Sequence, residues 1–297
     1  MKLRIGVPAT SANLGPGFDC LAIALDLWNE AEIEPAADFR VEVTGEGSAQ
    51  LPTDENNLVI RAYLRCLESQ GFTRPGGLHI RITNRIPIGS GLGSSASAVV
   101  VGILAANTLH ELRLEMVEMI RLAARMEGHA DNAAAALLGG LVVLAQDERI
   151  IYQRFEIPPI HAAVLVPDFP FPTREARAAL PATVSYSDAV FNLGRVPLVV
   201  RAFLESDQIL LARVMHDRLH EPYRVKLIPG AAEALMEAKS KGAAAALSGA
   251  GPGIIVFSLE EDDELVRSMK NCFQTAGLEV RLLRVSTSPQ GAWVQKG

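Results

Sequence analysis

A chain of 297 residues that is 49% hydrophobic and 21% charged has the balance of a soluble globular protein and length enough for two domains. Its net charge is −6 with the basic residues dispersed, which excludes a protein built to grip nucleic acid, and Cys20, Cys66 and Cys272 form no C-x-x-C pair, so neither a disulfide framework nor a zinc site is expected. The opening "MKLRIGVPATSANLGPGF" breaks at Pro8 without an apolar core, and the run from Ala133 to Ala145 is too short and glycine-interrupted to span a bilayer. The expectation is a cytoplasmic protein with no membrane partner.

In "PATSANLGPGFDCLAIALDL", Pro8 to Leu27, the residues Asn13, Gly15, Gly17 and Asp19 are expected in a loop ahead of an apolar run. Two readings fit: a turn in which Asp19 caps the next segment, or polar groups held rigidly at a ligand, with Asp19 suited to an ammonium. "LWNEAEIEP" then alternates, Leu27, Ala31 and Ile33 against Glu30, Glu32 and Glu34. "LHIRITNRI" does the same through Leu78, Ile80 and Ile82, and both predict half-buried strands. Between them "DENNLVIRAYLRCLESQG" starts on an acidic cap and stops at Gly71, the marks of a helix.

"PIGSGLGSSAS", Pro87 to Ser97, follows the second of these strands and opens into Ser95 to Leu109, apolar nearly all round, which predicts a helix buried on most sides. Anions settle at a helix N-terminus, where N–H groups are unpaired and the dipole is positive. Gly89, Gly91 and Gly93 would let backbone approach a phosphate, and Ser94 and Ser95 can donate hydroxyls or ligate magnesium. The spacing is neither a Walker A loop nor G-x-G-x-x-G, and alone it fits a serine-capped helix after a flexible turn equally well. A helix is predicted over Glu115 to Arg125, and "ARMEGHADNAAAALLGG" then carries Glu127, His129, Asp131 and Asn132. Magnesium takes oxygen ligands, usually one or two carboxylates beside substrate phosphates, so Glu127 suits it. Glu127 also fits a solvated helix end, and Asp131 an N-cap for a helix from Ala133.

A strand is expected over Gly139 to Gln146, and "IPPI" at 157–160 is the linker that divides 1–157 from 158–297. The second half reads as strand (Ala162–Val166), helices (Val196–Glu205, Gln208–His220, Gly230–Lys241), two strands (Ala243–Leu247, Ile254–Ser258), a helix (Glu261–Ala276) and a strand (Leu278–Val285). Without the extra helices the order is β-α-β-β-α-β, the ferredoxin-like arrangement. "PTREARAALP" and "DRLHEPYR" contribute Thr173, Arg177 and Arg224, arginine being the residue that pairs bidentately with carboxylates and phosphates. "SGAGPG", Ser248 to Gly253, holds more glycine than a hairpin turn requires.

Taken together, "PATSANLGPGFD", "PIGSGLGSSAS", "EGHADNAAAALLGG" and "SGAGPG" resemble, in order, the motifs of the GHMP small-molecule kinases. The first, with "PTREARAALP" and "HEPYR", is similar to the homoserine kinases of that superfamily. The resemblance implies an α+β fold of two domains, the first of ribosomal-protein S5 domain 2 type with a left-handed β-α-β unit, the second ferredoxin-like. It implies ATP between them, its triphosphate on the loop made by Pro87, Ile88, Gly89, Ser90, Gly91, Leu92, Gly93, Ser94, Ser95, Ala96 and Ser97, with Asn57 near the adenine. Ser95 and Glu127 would bind Mg2+. Asn13, Asp19 and Asp131 would meet the amino group and hydroxyl of L-homoserine, Arg177 and Arg224 its carboxylate, with His129 also at the substrate. Asp131, Asn132 and Thr173 would be the catalytic residues, Asp131 at the hydroxyl and Thr173 close to the transferred phosphate, and a homodimer would be the assembly. Another small alcohol as acceptor, or a silent nucleotide-binding member, are the alternatives. The chain departs from the family pattern at Ala22, in the absence of proline from "DNAAAALLGG", and in the final glycine of "SGAGPG".

Overall fold

Residues 2–73, 76–258 and 262–297 are described by a computed structural model. The N-terminal loop expected around Asn13 is narrower than the sequence suggests. Strand β1 (Leu3–Asn13) runs up to it, and strand β2 (Gly17–Ala36) leaves it at once, so Asn13 to Gly17 is the turn of a long hairpin. Opposite Leu3 stands Ile33, and opposite Ile5 stands Ala31, all essentially inaccessible. Each fully buried Leu or Ile side chain contributes about 1.5–3 kcal/mol. On the other face Arg4 pairs with Glu30 at 3.2 Å, an exposed pair that adds at most about 1 kcal/mol.

Strand β3 (Arg40–Gly45), helix α1 (Leu58–Ser69) and strand β4 (Gly77–Asn84) form a parallel β-α-β unit. The cap of α1 is not the expected acidic residue. Asn57 Oδ1 accepts from the Val59 N–H at 3.0 Å, while Asp54 is occupied in the preceding turn, accepting from the Asn56 N–H. Helices α2 (Ser94–Leu109), α3 (Met116–Glu127) and α4 (Asp131–Leu138) follow. With α1 they share one core with the inner face of the sheet, and most of α2 is buried, as its apolar circumference predicts. Asp131 lies in the first turn of α4 instead of capping it from outside. Strands β5 (Leu141–Gln146) and β6 (Ile150–Phe155) extend the first sheet from β2.

The second sheet begins with β7 (His161–Pro167). Helices α5 (Thr173–Ala178), α6 (Tyr186–Glu205), α7 (Gln208–Val214), α8 (Glu221–Arg224) and α9 (Ala231–Ser240) precede strands β8 (Ala244–Leu247) and β9 (Ile254–Ser258). Helix α10 (Asp263–Thr275) and strand β10 (Val280–Ser286) complete it. The order β10-β7-β9-β8, antiparallel throughout, is the ferredoxin-like order. Both faces are covered. Ala244, Ala246, Ile255 and Phe257 face a core shared with β1 and β2, while Ala245, Leu247, Ile254 and Val256 face α9 and α10. That double burial is why β8 and β9 read as continuous apolar runs.

Two helix boundaries differ from expectation. Helix α6 starts at Tyr186, ahead of Val196, because Ser185 caps it by accepting from the Asp188 N–H; its first turns leave Tyr186, Val190 and Leu193 exposed and so carry no burial pattern. The helix from Gln208 stops at Val214, and Asp217 starts a separate short turn. The Glu261 start of the last helix lies outside the described residues. Finally, β11 (Trp293–Lys296) returns to the first sheet and pairs with β1, Leu3 opposite Lys296, so the end of the 158–297 segment covers the open edge of the first half.

Candidate active site

Three glycine-bearing turns meet where the two sheets face each other: 13–17, 87–93 and 248–253. The Thr10 N–H donates to the Leu92 carbonyl at 3.1 Å, and the Gly249 N–H donates to the Ala12 carbonyl at 3.1 Å. Asn13 Nδ2 donates to the Gly249 carbonyl at 2.6 Å, and the Ser248 hydroxyl donates to the Gly91 carbonyl at 2.9 Å. A Cβ on Gly91 would stand 2.0 Å from the Ser248 carbonyl oxygen, and one on Gly93 would stand 2.1 Å from Thr10 Oγ1. The glycine excess of "SGAGPG" therefore serves loop-on-loop packing and not merely its own turn. This packing holds the N-terminus of α2 open toward a cleft of about 140 Å3.

Gly89, Ser90, Gly91, Gly93, Ser94, Ser95 and Ala96 line that cleft. Leu92 instead enters the core, Ser97 is buried and accepts from Asn29 Nδ2, and neither the buried Pro87 nor the exposed Ile88 lines the cleft. Asn57 is not among the lining residues. It is 3% exposed, and its carboxamide is engaged by the Val59 N–H and the Pro52 carbonyl. A wider groove of about 830 Å3 at the far end of the second sheet holds neither glycine loop nor any residue singled out from the sequence.

The Ser95 hydroxyl donates to Glu127 Oε1 at 2.8 Å, which sets one hydroxyl and one carboxylate beside the α2 N-terminus. Among the described residues no group of three or more His, Cys, Asp or Glu could hold a metal. Next to Glu127, His129 Nδ1 and Asp131 Oδ1 lie 2.7 Å apart, and the same oxygen accepts from the Asn132 N–H. Burial works against the charged form of His129, but the hydrogen bond and charge of Asp131 outweigh it and raise the imidazole above its ordinary value. Asn132 Oδ1 accepts from the Thr10 hydroxyl at 2.8 Å, which ties the start of α4 to β1. Asp131 Oδ2 has no hydrogen-bond partner among the described residues.

Across the cleft Asp19 is held with φ 55, its N–H donating to Asn13 Oδ1. Asn13 and Leu14 are also left-handed, at φ 71 and 47, and three such non-glycine residues within seven positions, two in the turn and one just inside β2, are strained backbone of the kind found at ligand sites. Arg177, in α5, donates through Nη1 and Nη2 to both oxygens of Asp19 at 2.9 and 2.8 Å. That hydrogen bond, foremost, raises the Arg177 guanidinium above its usual value. The family resemblance implies opposite ends of a ligand for Asp19 and Arg177, whose side chains here pair with each other. Thr173 begins α5 and lines the cleft, exposed.

Arg224 is the anomaly. It is 1% exposed, yet its donors meet only neutral acceptors: the Ala176 carbonyl at 3.2 Å, the Gly249 carbonyl at 3.4 Å and His220 Nδ1 at 3.2 Å. Burial, and then the nearby Arg177 charge, push it down to about 10. Phe18, which the sequence reading passed over, lies beneath both guanidiniums, 5.2 Å from Arg224 and 5.6 Å from Arg177. His220 was also missed, although "HEPYR" contains it. Arg224 is one helical turn further on, but the Gly15 carbonyl and the Phe18 ring come from a distant segment that no local signal marks.

Comparison with known proteins shows the family. Residues 57–140 match the GHMP kinases N terminal domain and residues 199–275 the GHMP kinases C terminal domain. The homoserine kinase of Moorella thermoacetica is 40% identical over 98% of this chain and 99% of its own. The chain belongs to the homoserine kinase family. The homoserine kinase of Gloeobacter violaceus is 45% identical over 89% of this chain and 90% of its own. A crystal structure of homoserine kinase from Cytophaga hutchinsonii aligns with a TM-score of 0.84 at 31% identity, covering 99% of this chain and 97% of that one. Membership in the homoserine kinase family carries with it the two-domain GHMP architecture and the class of phosphotransferases.

Proposed function

We propose that this enzyme transfers the γ-phosphoryl group of ATP to the side-chain hydroxyl of L-homoserine, giving O-phospho-L-homoserine and ADP, a step of threonine biosynthesis. The observation that carries the reading is Arg224: a buried cation with no carboxylate partner, beside an Asp19–Arg177 pair, is the complement of an amino-acid zwitterion. The ligand's carboxylate would bind Arg224 and Arg177, and its ammonium would bind Asp19, with Asn13 holding the turn in place. An acceptor without an ammonium would leave Asp19 unmatched.

The triphosphate would lie on the N–H groups of the glycine loop and of α2, which answer its charge without a lysine. The Ser95 hydroxyl and Glu127 carboxylate are hard oxygen donors of the kind magnesium takes, and the ion would neutralise phosphate charge there. In the transfer the homoserine oxygen forms a bond to the γ-phosphorus as the bond to the β,γ-bridging oxygen breaks. A loose transition state requires positioning and charge stabilisation more than a strong base. Asp131 Oδ2 is the oxygen left to orient the hydroxyl and take its proton, while His129 and Asn132 fix the carboxylate and Thr173 stands beside the transferred group. Pro87, Ile88, Leu92 and Ser97 complete the loop without lining the cleft.

Coupled-enzyme ADP release with homoserine, mevalonate, shikimate and no acceptor tests the reading. Turnover strongly favouring homoserine is expected; ADP release independent of acceptor, or none with homoserine, overturns it. The absence of any helix long and apolar enough to cross a membrane among the described residues is compatible with a cytoplasmic enzyme. A homodimer is the expected assembly, which light scattering would detect as twice the 31.9 kDa chain mass.

A further inference from the structure

His220 takes no part in the transfer described above, yet it is wholly buried and joins the two sides of the acceptor site. Its Nε2 lies 2.8 Å from the Gly15 carbonyl oxygen in the strained β1–β2 turn, and its Nδ1 lies 3.2 Å from Arg224 Nη1. Each partner can play only one role. A carbonyl oxygen accepts, so Nε2 carries the hydrogen; a guanidinium N–H donates, so Nδ1 carries the lone pair. The ring is thereby fixed as the neutral Nε2–H tautomer. Phe18 stacks on it at 5.3 Å and 27°, and the Asp217 carboxylate caps its turn by accepting from the His220 and Glu221 N–H groups.

The donors of Arg224 can then be assigned. Nε donates to Ala176, and Nη1 is divided between Gly249 and His220, which leaves Nη2 without a hydrogen-bond partner among the described residues while Arg224 lines the cleft. Three neutral acceptors on three segments thus orient a cation so that its remaining N–H groups meet the ligand. We propose that His220 is a positioning residue for the acceptor's carboxylate: as the Nε2–H tautomer it aims Arg224 and ties it to the turn that carries Asn13 and Asp19. This rests on the reading of the acceptor as an amino acid, and the experiments below fail separately from that reading, which wild-type turnover of homoserine tests.

Two measurements decide it. In the wild-type enzyme, 15N chemical shifts of the histidine side chains should report His220 with a protonated Nε2 and an unprotonated Nδ1; the reverse tautomer, or an imidazolium, overturns the proposal. In His220→Phe, which keeps the ring on Phe18 but removes both hydrogen bonds, KM for homoserine should rise about 10- to 100-fold with kcat and the KM for ATP little changed. His220→Gln, which can still donate to Gly15 and accept from Arg224, should recover most of the loss. The penalty should be absent for 3-aminopropan-1-ol, which is homoserine without its carboxylate. An equal loss of kcat/KM with both acceptors, or an unchanged KM for homoserine, would mean that His220 serves the fold alone.

Discussion

Replacing Arg224 with methionine separates binding from stability. Burial lowers this guanidinium from its usual value to about 10, so at about 1.4 kcal/mol per pKa unit keeping it charged costs the fold about 3 kcal/mol. Methionine removes that cost but leaves the Ala176 and Gly249 carbonyls and His220 Nδ1 without their donor, at about 1 kcal/mol each. The two effects nearly cancel, and a chain of this size shifts by about 2 °C for each kcal/mol, so Tm should stay within about 3 °C of wild type. Loss of a desolvated partner for the ligand's carboxylate costs about 2–5 kcal/mol, so KM for homoserine should rise about 30-fold or more. Differential scanning calorimetry with and without homoserine, beside steady-state kinetics, reads both quantities; homoserine should raise Tm in the wild type and not in Arg224→Met. A KM within about threefold of wild type would refute the carboxylate role, and a Tm lowered by about 8 °C or more would make Arg224 a structural element instead.

The His129 shift gives a pH-dependent stability. Its folded pKa lies above the unfolded 6.5, so its contribution is full below pH 6.5 and is lost as pH rises through the raised value. His129→Gln should therefore lower Tm more at pH 6 than at pH 9, and equal losses at both would contradict the pairing with Asp131. Gly91→Ala sets a Cβ 2.0 Å from the Ser248 carbonyl at a φ of +81°, so it should lower Tm and reduce kcat/KM for ATP at least about tenfold. A variant as stable and active as wild type would remove the loop-on-loop contact from the account. Ser95→Ala and Glu127→Gln should each raise the Mg2+ concentration for half-maximal activity by about tenfold or more; an unchanged magnesium titration in both would place the ion elsewhere.

The parts legible in the sequence are those whose signal is local. Ile33 against Glu32 and Ile80 against Arg81 write the pleat directly, and the all-round apolar surface of α2 announces its burial. The motifs around Asn13, Gly91, Asp131 and Ser248 could be ordered along the chain, and the structure brings all of them to one cleft. What escaped depends on contacts between distant segments. His220 meets the Gly15 carbonyl across 205 residues, and nothing beside it in the chain hints at that partner. Asn57 was placed near the adenine through the family resemblance, and its separate use as the α1 cap was not legible because the acidic pair before it offered a competing start. The first turns of α6 were missed for the opposite reason, since their apolar residues face outward and follow no core. The motifs put Asp19 and Arg177 at one site, and charge types alone could not say that they pair with each other.

The central claim is that this cleft passes phosphate to the hydroxyl of an amino-acid zwitterion, and 31P NMR of the purified enzyme with ATP, Mg2+ and L-homoserine tests it most directly. The account predicts a new phosphomonoester resonance, coupled to the methylene protons of the homoserine side chain, that grows in step with ADP and is lost in Arg224→Met at low homoserine. ADP accumulating with inorganic phosphate as the sole other product, or a phosphomonoester formed equally well on mevalonate, would contradict it.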